Sequence, residues 1–500
     1  MRRTAVLLVL LAACHSGSRT GEMPGDAPAR LPTGQLLDPA GSLHVIGQMP
    51  LAMVVAPGGR RIVLLLNGYR EQGVQVVDLG GNVTQTLPQA AAFVGLAFSP
   101  DGRTLYASGG DQDVVYRYHW IADSASLGDS LVLHAKARDS SGTRYPAGIA
   151  VSPRGDRLYV AENLGDSLAV IDLASGRVVQ RLATGRYPYA VVATSEGSVF
   201  VSNWNGNSVS VFHTTGDRLM AATDWPAGRH PSAMLLNADG TRLYVASGST
   251  DLVSVIDTRT GNVVERLHDP PPGGVHEGST PNALALAPDG ARLFVAEADA
   301  NAVAVFDARS VDTALQGRIP TGWYPTALAV VGDSLYVANG KGVGTAPNPL
   351  GRQPGLSARL RGISPEQASR NYTLGQIAGS MSIVPIGSLP RDLAAFDARV
   401  ARADGWSAPG GRRAYPPFEH VIYVLRENRT YDQVLGDLAA ADGDTSLLFF
   451  GRGVTPNAHA LAERFGIFDR FFVNAEVSAD GHNWSMVAYA SDYTQKTEPS

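Results

Sequence analysis

One pattern recurs through the first three quarters of this chain and limits what it can fold into. It is an apolar strand, a Pro-x-Gly-type turn and a second apolar strand. The copies are APGGRRIVLLL around Gly59, SPDGRTLYAS around Gly102, SPRGDRLYVAE around Gly155, TSEGSVFVSN around Gly197, NADGTRLYVAS around Gly240, APDGARLFVAE around Gly290 and VVGDSLYVAN around Gly332. These seven copies lie about 42–53 residues apart. Glycine supplies the positive φ that a tight hairpin turn needs. A third strand follows in several copies, as in Val74 to Leu79, Leu168 to Leu173, Val253 to Thr258 and Ala302 to Ala308. A weaker fourth comes after it, as in Val178 to Gly185. Period-2 alternation and β-branched content mark them all as strands. Four short antiparallel strands per repeat of this length are the signature of a β-propeller blade. The predicted fold class is therefore mainly β, with seven blades.

The ends of the array predict how the ring closes. Residues Ser42 to Gln48 (SLHVIGQ) read as a fourth strand with no blade before it. The last copy has strands at Thr326 to Val331 and Ser334 to Ala338, and its third strand is delayed to Ser380 to Ile386. The N-terminal strand is expected to complete the seventh blade. Residues 339–379, rich in Gly, Pro and Arg, then form an insertion within a propeller spanning 38–388. The LYVA and VIDL phrases resemble the YVTN family of bacterial seven-bladed propellers over about residues 40–390. That resemblance specifies a fold and says little about function. Composition agrees: 44% hydrophobic and 17% charged residues provide a packed core. A net charge of −5 gives no argument for nucleic acid. A single cysteine excludes an internal disulfide framework and a Cys-rich metal site.

That cysteine sits at the end of MRRTAVLLVLLAACHSGS. A basic head and an apolar run too short to span a bilayer read as a secretory signal segment. Leu11-Ala12-Ala13-Cys14 resembles a bacterial lipobox, in which Cys14 is lipidated and becomes the first mature residue. Plain signal cleavage near a chance Cys is the alternative. Residues 1–14 are then the signal segment and 15–37 a flexible tether, with His15 to Pro32 rich in Ser, Gly and Pro. Acyl chains anchor without spanning, and His15 in place of Asp favours the outer membrane of a Gram-negative cell. The expected location is the exported cell envelope, facing periplasm or exterior.

Loops before several first strands repeat a second phrase: Arg144-Tyr145-Pro146, Arg186-Tyr187-Pro188, Arg229-His230-Pro231 and Trp323-Tyr324-Pro325. Equivalent positions in neighbouring blades share one face near the central channel. Arg144, Arg186 and Arg229 then form a cationic rim for carboxylate or phosphate, or else pack between repeats. A protein or envelope-polymer partner at this face is a further possibility. Propeller histidines do not recur in register, which argues against a multi-His copper cluster, and no blade carries a quinone motif.

Past the propeller, Leu389 to Gly405 has apolar residues at helical spacing, and residues 389–417 read as a helix and linker. Then Val421 to Leu425 reads as a strand buried on both faces of a sheet. It ends in Arg426-Glu427-Asn428-Arg429-Thr430-Tyr431-Asp432, where open α/β sheets place their sites. This phrase, with VTPNAHALAERFGIFDRFF and AEVSADGHNWSMVAYASDYTQKT, resembles the bacterial phosphoesterase family that includes phospholipases C and acid phosphatases. That family lies within the alkaline-phosphatase superfamily. The match covers about residues 418–500 and implies the N-terminal part of an α/β domain. It implies Glu427 and Asn428 as ligands of a divalent metal, Zn, Ca or Mg, though a helix cap built from Glu, Asn and Thr explains the same residues. Asn483 matches a phosphate-contacting Asn. The nucleophile column falls near Asp480, leaving Ser478 as nucleophile, Asp480 as nucleophile or ligand, or no covalent step. His482 is a candidate ligand or acid/base, or a supporting residue. No P-loop is present.

The resemblance implies a surface-anchored, bifunctional, metal-dependent phosphoesterase acting on phosphate mono- or diesters. The rival reading is a non-catalytic propeller scaffold with an incomplete phosphoesterase domain. About 80 residues are few for a doubly wound domain, so the chain is expected to be truncated at its C-terminus, with a full propeller and part of an active site.

Overall fold

The computed structural model describes residues 29–137, 140–272, 278–310, 314–344, 362–406, 417–471, 473 and 475–498. The expected signal segment with Cys14, and residues 345–361 of the expected insertion, lie outside them. All seven turn glycines take positive φ: Gly59, Gly102, Gly155, Gly197, Gly240, Gly290 and Gly332 fall between +56° and +88°. Most close an i→i+3 turn; Gly102 N–H donates to Ser99 O at 2.9 Å and Gly155 N–H to Ser152 O at 2.8 Å. A Cβ at these positions would force a left-handed backbone that L-residues resist.

Each turn joins the first two strands of a four-stranded antiparallel sheet, and there are seven such sheets. Blade 1 holds strands Pro50–Val55, Arg61–Gly68, Glu71–Asp78 and Val83–Pro88. Blade 2 begins at Leu96–Phe98, blade 3 at Pro146–Val151, blade 4 at Pro188–Ala193, blade 5 at Pro231–Leu236, blade 6 at Pro281–Leu286 and blade 7 at Pro325–Val331. These innermost strands pack in sequence, and blade 7 packs back on blade 1, closing the ring. Six of the seven start with proline, which tolerates the first position of a strand because its missing N–H breaks no ladder there.

The second strands are buried beyond their first residue; Leu293, Phe294, Val295 and Ala296 of blade 6 are each 0% exposed. Both faces are covered by neighbouring blades, so these strands read as continuous apolar runs. Fourth strands lie at the rim; Arg177–Ala183 alternates, whereas Gly317–Pro320 of blade 6 is buried. Blade 7 combines Pro325–Val331, Ser334–Asn339 and Gly379–Pro385 with the N-terminal strand Ser42–Ile46. Its register pairs Ser42 with Ile383 and Ile46 with Gly379. The N-terminal strand thus stands in the fourth position of the last blade.

Residues 29–37, read as tether, are instead packed. Ala29–Arg30 pairs with Leu36–Leu37, Leu31 and Leu37 are buried, and Gln35 Nε2 donates to Asp299 O at 2.9 Å. Two apolar side chains outweigh the freedom expected of a Ser/Gly/Pro stretch. Helix α1, Leu389–Ala403, lies against the last strand of blade 6, Gly317–Pro320. Leu389 and Val400 are buried, Leu393 and Phe396 join the core of blades 6 and 7, and Arg399 grips Asp38 at 2.7 and 3.0 Å.

The segment after residue 417 departs from expectation. It contains α2 (Tyr431–Leu435), α3 (Pro456–Phe465), α4 (Ser478–Val487) and α5 (Asp492–Thr497), and no strand among its described residues. Val421 to Leu425 forms no strand, and Ile422 is 88% exposed. A buried strand needs neighbours to satisfy its backbone groups, and no adjoining strand is present among the described residues. Among those residues, no helix is long and apolar enough to cross a membrane.

Candidate functional site

The channel mouth is built by a polar clasp that repeats from blade to blade. Asp113, Asp166, Asp251 and Asn301 each precede a third strand and take positive φ. Their side chains reach the loop that leads into the next blade. Asp113 Oδ1 accepts from Arg144 and Tyr145 N–H at 2.8 Å, and Oδ2 from Thr143 N–H at 2.8 Å. Asp166 Oδ1 accepts from Tyr187 N–H at 2.9 Å, Asp251 Oδ1 from Thr280 N–H at 3.1 Å and Asn301 Oδ1 from Tyr324 N–H at 2.9 Å. Their carbonyls accept from the end of their own fourth strand, as Asp113 O does from Leu133 N–H at 2.9 Å. One residue therefore fastens its own blade and the next.

The residue before each of these prolines takes positive φ: Tyr145, Tyr187, Thr280 and Tyr324 in the loops that the clasp holds, and His230, whose N–H donates to Gly206 O at 2.9 Å. Aromatic rings from four of these loops stand around the mouth. Arg144 is half-buried and Arg186 is exposed, its guanidinium 6.0 Å from the Tyr187 ring. Arg229 donates to Ser249 O at 2.9 Å. The side chains that converge on the mouth belong to their aromatic neighbours.

What they surround is the chain itself. Residues 489–498, with α5 at their centre, sit in the mouth and touch every blade. Asn67 of blade 1 donates to Lys496 O at 3.0 Å. Phe93, leading into blade 2, lies 6.0 Å edge-on to Tyr493, and Asn163 of blade 3 accepts from Tyr493 OH at 2.7 Å. Trp204 of blade 4 packs 4.7 Å from Tyr493, and Ser249 of blade 5 meets Tyr489 OH at 2.9 Å. Asn282 of blade 6 and Tyr324 of blade 7 both donate to Asp492 Oδ1, at 2.9 and 2.8 Å. Burial, then the Asp492 charge, push the Tyr324 hydroxyl far above its ordinary range, so it stays protonated and donates. Lys496, 1% exposed, pairs with Asp492 at 2.7 Å within the helix. Beneath Lys496 the channel holds a cavity of about 230 Å³, lined by inner-strand residues such as Leu51, Ile149, Val191, Met234 and Leu328.

Ser478, Asp480, His482 and Asn483 lie just before this arm in sequence, and Glu427 and Asn428 farther upstream. His482 Nε2 and Glu427 Oε2 are 2.7 Å apart, although 55 positions separate them in sequence. Both side chains are about half exposed, 44% and 52%. Asn428 is exposed beside Glu427. Ser478 opens α4 and is exposed, whereas Asp480 is 2% exposed, its Oδ1 accepting from Val477 N–H at 3.2 Å and Gly481 N–H at 3.0 Å. Burial, and then the nearby Glu476 charge, raise the Asp480 carboxyl above its ordinary value, with Lys341 opposing. Asn483 Nδ2 is turned back onto Ala479 O at 3.0 Å. Thr430 precedes α2 without a side-chain cap bond.

A carboxylate, an amide oxygen and an imidazole fit a divalent ion in donor type, zinc best, since imidazole suits a softer ion than Ca²⁺. In number they fall short: among the described residues no group of three or more His, Cys, Asp or Glu could hold a metal. Sequence reasoning missed a second pair, His459 Nε2 with Asp437 Oδ1 at 2.6 Å. His459 is fully buried and also meets Thr455 O at 2.8 Å, so it braces α3 against the loop after α2. It also missed the arm and the clasp. The clasp left a signal, an Asp or Asn immediately before a third strand in four blades.

The family model that matches is described as SMP-30/Gluconolactonase/LRE-like region, over residues 35–188 and 134–249. Both lie within the propeller and together cover less than half of the chain. An uncharacterized protein from Salmonella typhi, YncE, is 27% identical over 225 residues, 44% of this chain and 60% of that protein. Its counterpart from Salmonella typhimurium is 27% identical over 174 residues, 33% of this chain and 45% of that protein. The chain thus spans less than two thirds of the curated relatives it matches. Among solved structures, the hydrazine synthase of Kuenenia stuttgartiensis is similar at TM-score 0.47 and 19% identity, covering 59% of this chain and 93% of that one. The periplasmic gluconolactonase of Pseudomonas aeruginosa follows at TM-score 0.44 and 20% identity, covering 55% and 86%.

Proposed function

We propose that this YVTN-like seven-bladed β-propeller is the platform for a phosphoesterase site built by the C-terminal segment, acting on phosphate mono- or diesters. The observation that carries the reading is the 2.7 Å contact between Glu427 and His482. Two of the three phrases on which the phosphoesterase resemblance rests meet there.

Roles follow from the surroundings of each side chain. Ser478, exposed at the first turn of α4, suits a nucleophile; a helix N-terminus also favours an incoming anion. Asp480 is spent on backbone N–H groups and suits a supporting role. Glu427 can hold a proton on His482 Nε2, which leaves Nδ1 to accept one, the arrangement of a general base. Asn483 reaches a phosphoryl oxygen only after releasing Ala479 O. Glu427, through its other oxygen, and Asn428 would hold the divalent metal, with further donors from outside the described residues. When bound, it polarises a phosphoryl oxygen and lowers the pKa of the attacking group. Cys14 would tether the assembly to the cell envelope by its acyl chains.

The full chain should release p-nitrophenol from p-nitrophenyl phosphate or its bis-ester. EDTA should abolish turnover, and Glu427→Ala or His482→Ala should lower it by about 10²-fold or more. No turnover with Zn²⁺, Ca²⁺ or Mg²⁺ present would sink this reading and leave the propeller as a scaffold. A second reading, hydrolysis of a lactone, takes its substrate class from the family description and its place from the 230 Å³ channel cavity. Lactone hydrolysis that survives Glu427→Ala would favour it.

A further inference from the structure

We propose that Lys341 is the positioning residue through which the propeller sets the candidate site. The inference rests on the phosphoesterase reading for what is positioned, and on geometry alone for the clamp itself. Lys341 follows the second strand of blade 7 and is 8% exposed. Its ammonium lies 5.3 Å from the ring centre of Tyr324 and 5.9 Å from that of Trp323. Both rings come from the loop leading into blade 7, whose backbone the clasp residue Asn301 holds. The base of the clamp is therefore rigid.

Its other end grips two separate pieces of the C-terminal segment. Nζ donates to Glu476 Oε2 at 3.0 Å, and also to Gln495 Oε1. Glu476 stands two residues before Ser478, at the approach to α4. Gln495, 5% exposed, belongs to α5 in the channel mouth. A single cation thus joins blade 7, the start of α4 and the arm. A buried ammonium tolerates loss of water only when its donors are filled. Pulling Glu476 or Gln495 away strands the charge, so the two contacts hold together or fail together. Seated by all seven blades, the arm fixes Gln495; Lys341 carries that placement to Glu476, and so to the helix bearing Ser478 and His482.

The test uses the full chain and variants Lys341→Met, Glu476→Gln and the double variant. Amide hydrogen exchange is read by peptide. Lys341→Met should speed exchange in residues 476–498 by about 10-fold or more and leave blades 2 to 5 unchanged. Glu476→Gln should do the same more weakly, and the double variant should add little, since the contacts are coupled. Where p-nitrophenyl phosphate is turned over, Lys341→Met should lower kcat by a similar factor with KM within about twofold, as for misplaced catalytic groups. Unchanged exchange at 476–498, or strictly additive variants, would overturn the clamp whatever the activity. Absence of turnover with the exchange pattern intact would retire the phosphoesterase reading and leave the clamp standing. If Lys341→Met fails to fold, Glu476→Gln alone decides: exchange at 476–487 equal to that of the unaltered chain overturns the clamp.

Discussion

Arg318 is the most deeply buried arginine of the ring, its side chain 3% exposed against a Glu297 that is fully buried, 2.7 Å away. It also donates to Asp269 O and Pro270 O, and stacks 5.0 Å from Trp406. Arg318→Ala leaves a buried carboxylate without its cation, so it should cost about 3–5 kcal/mol, read as a lower denaturant midpoint. Replacing both partners, Arg318→Met with Glu297→Leu, should recover much of that loss. The clasp predicts a second effect. Asp113→Ala strands the N–H groups of Thr143, Arg144 and Tyr145 and should cost about 1–3 kcal/mol; Asp113→Asn, which keeps one acceptor and tolerates positive φ, should cost less. At this scale the sequence was half legible. The R-Y-P phrases announced a special loop, but their arginines drew attention away from the aromatic rings, which do the converging. The acceptor for those loops sits some 20–30 positions upstream in the preceding blade, a distance that only the folded ring closes.

Helix α1 couples the rim to the buried charges of blade 6. Burial, and next the Glu297 charge, push the Asp404 carboxyl at its end up to about 8, with Arg318 and Gln35 opposing. Burial also raises Asp299 to about 6, and raises Glu297 against the pull of Arg318. Each group holds its proton more tightly folded than unfolded, so stability is greatest below the ordinary carboxylate range and falls as pH rises through the folded values. Thermal midpoints should therefore be higher at pH 5 than at pH 8.5, and Asp404→Asn should shrink the difference. A flat profile would show that these groups ionise without cost. The helix itself was legible from its apolar spacing. Val421 to Leu425 was read as a strand from the same kind of pattern and is exposed, because a strand depends on neighbours that periodicity does not report.

For the whole molecule, closure of the ring is the feature that joins the two ends of the repeat array. Ser42–Ile46 supplies the fourth strand of blade 7 while Ile46 joins the core beneath blades 1 and 7. Deleting residues 1–46 should open the ring, and the expected result is a lower, broader melting transition by circular dichroism; an unchanged midpoint would contradict closure by this strand. Seven glycine turns, a stranded first segment and a delayed third strand made this architecture readable in advance. The arm was not readable, since DYTQKT has no repeat, no periodicity and no partner nearby in sequence; its fit depends on seven loops meeting at one point.

Closure by strands so far apart also imposes a timetable. Ile46 waits for Gly379, so at about 5–20 residues per second the N-terminal strand is made about 17–67 seconds before the strand it pairs with. The arm that fills the channel emerges about a hundred residues later still. Synthesis therefore builds the vessel, then the seal, then the stopper, and a chain interrupted between the last two steps would present an open channel.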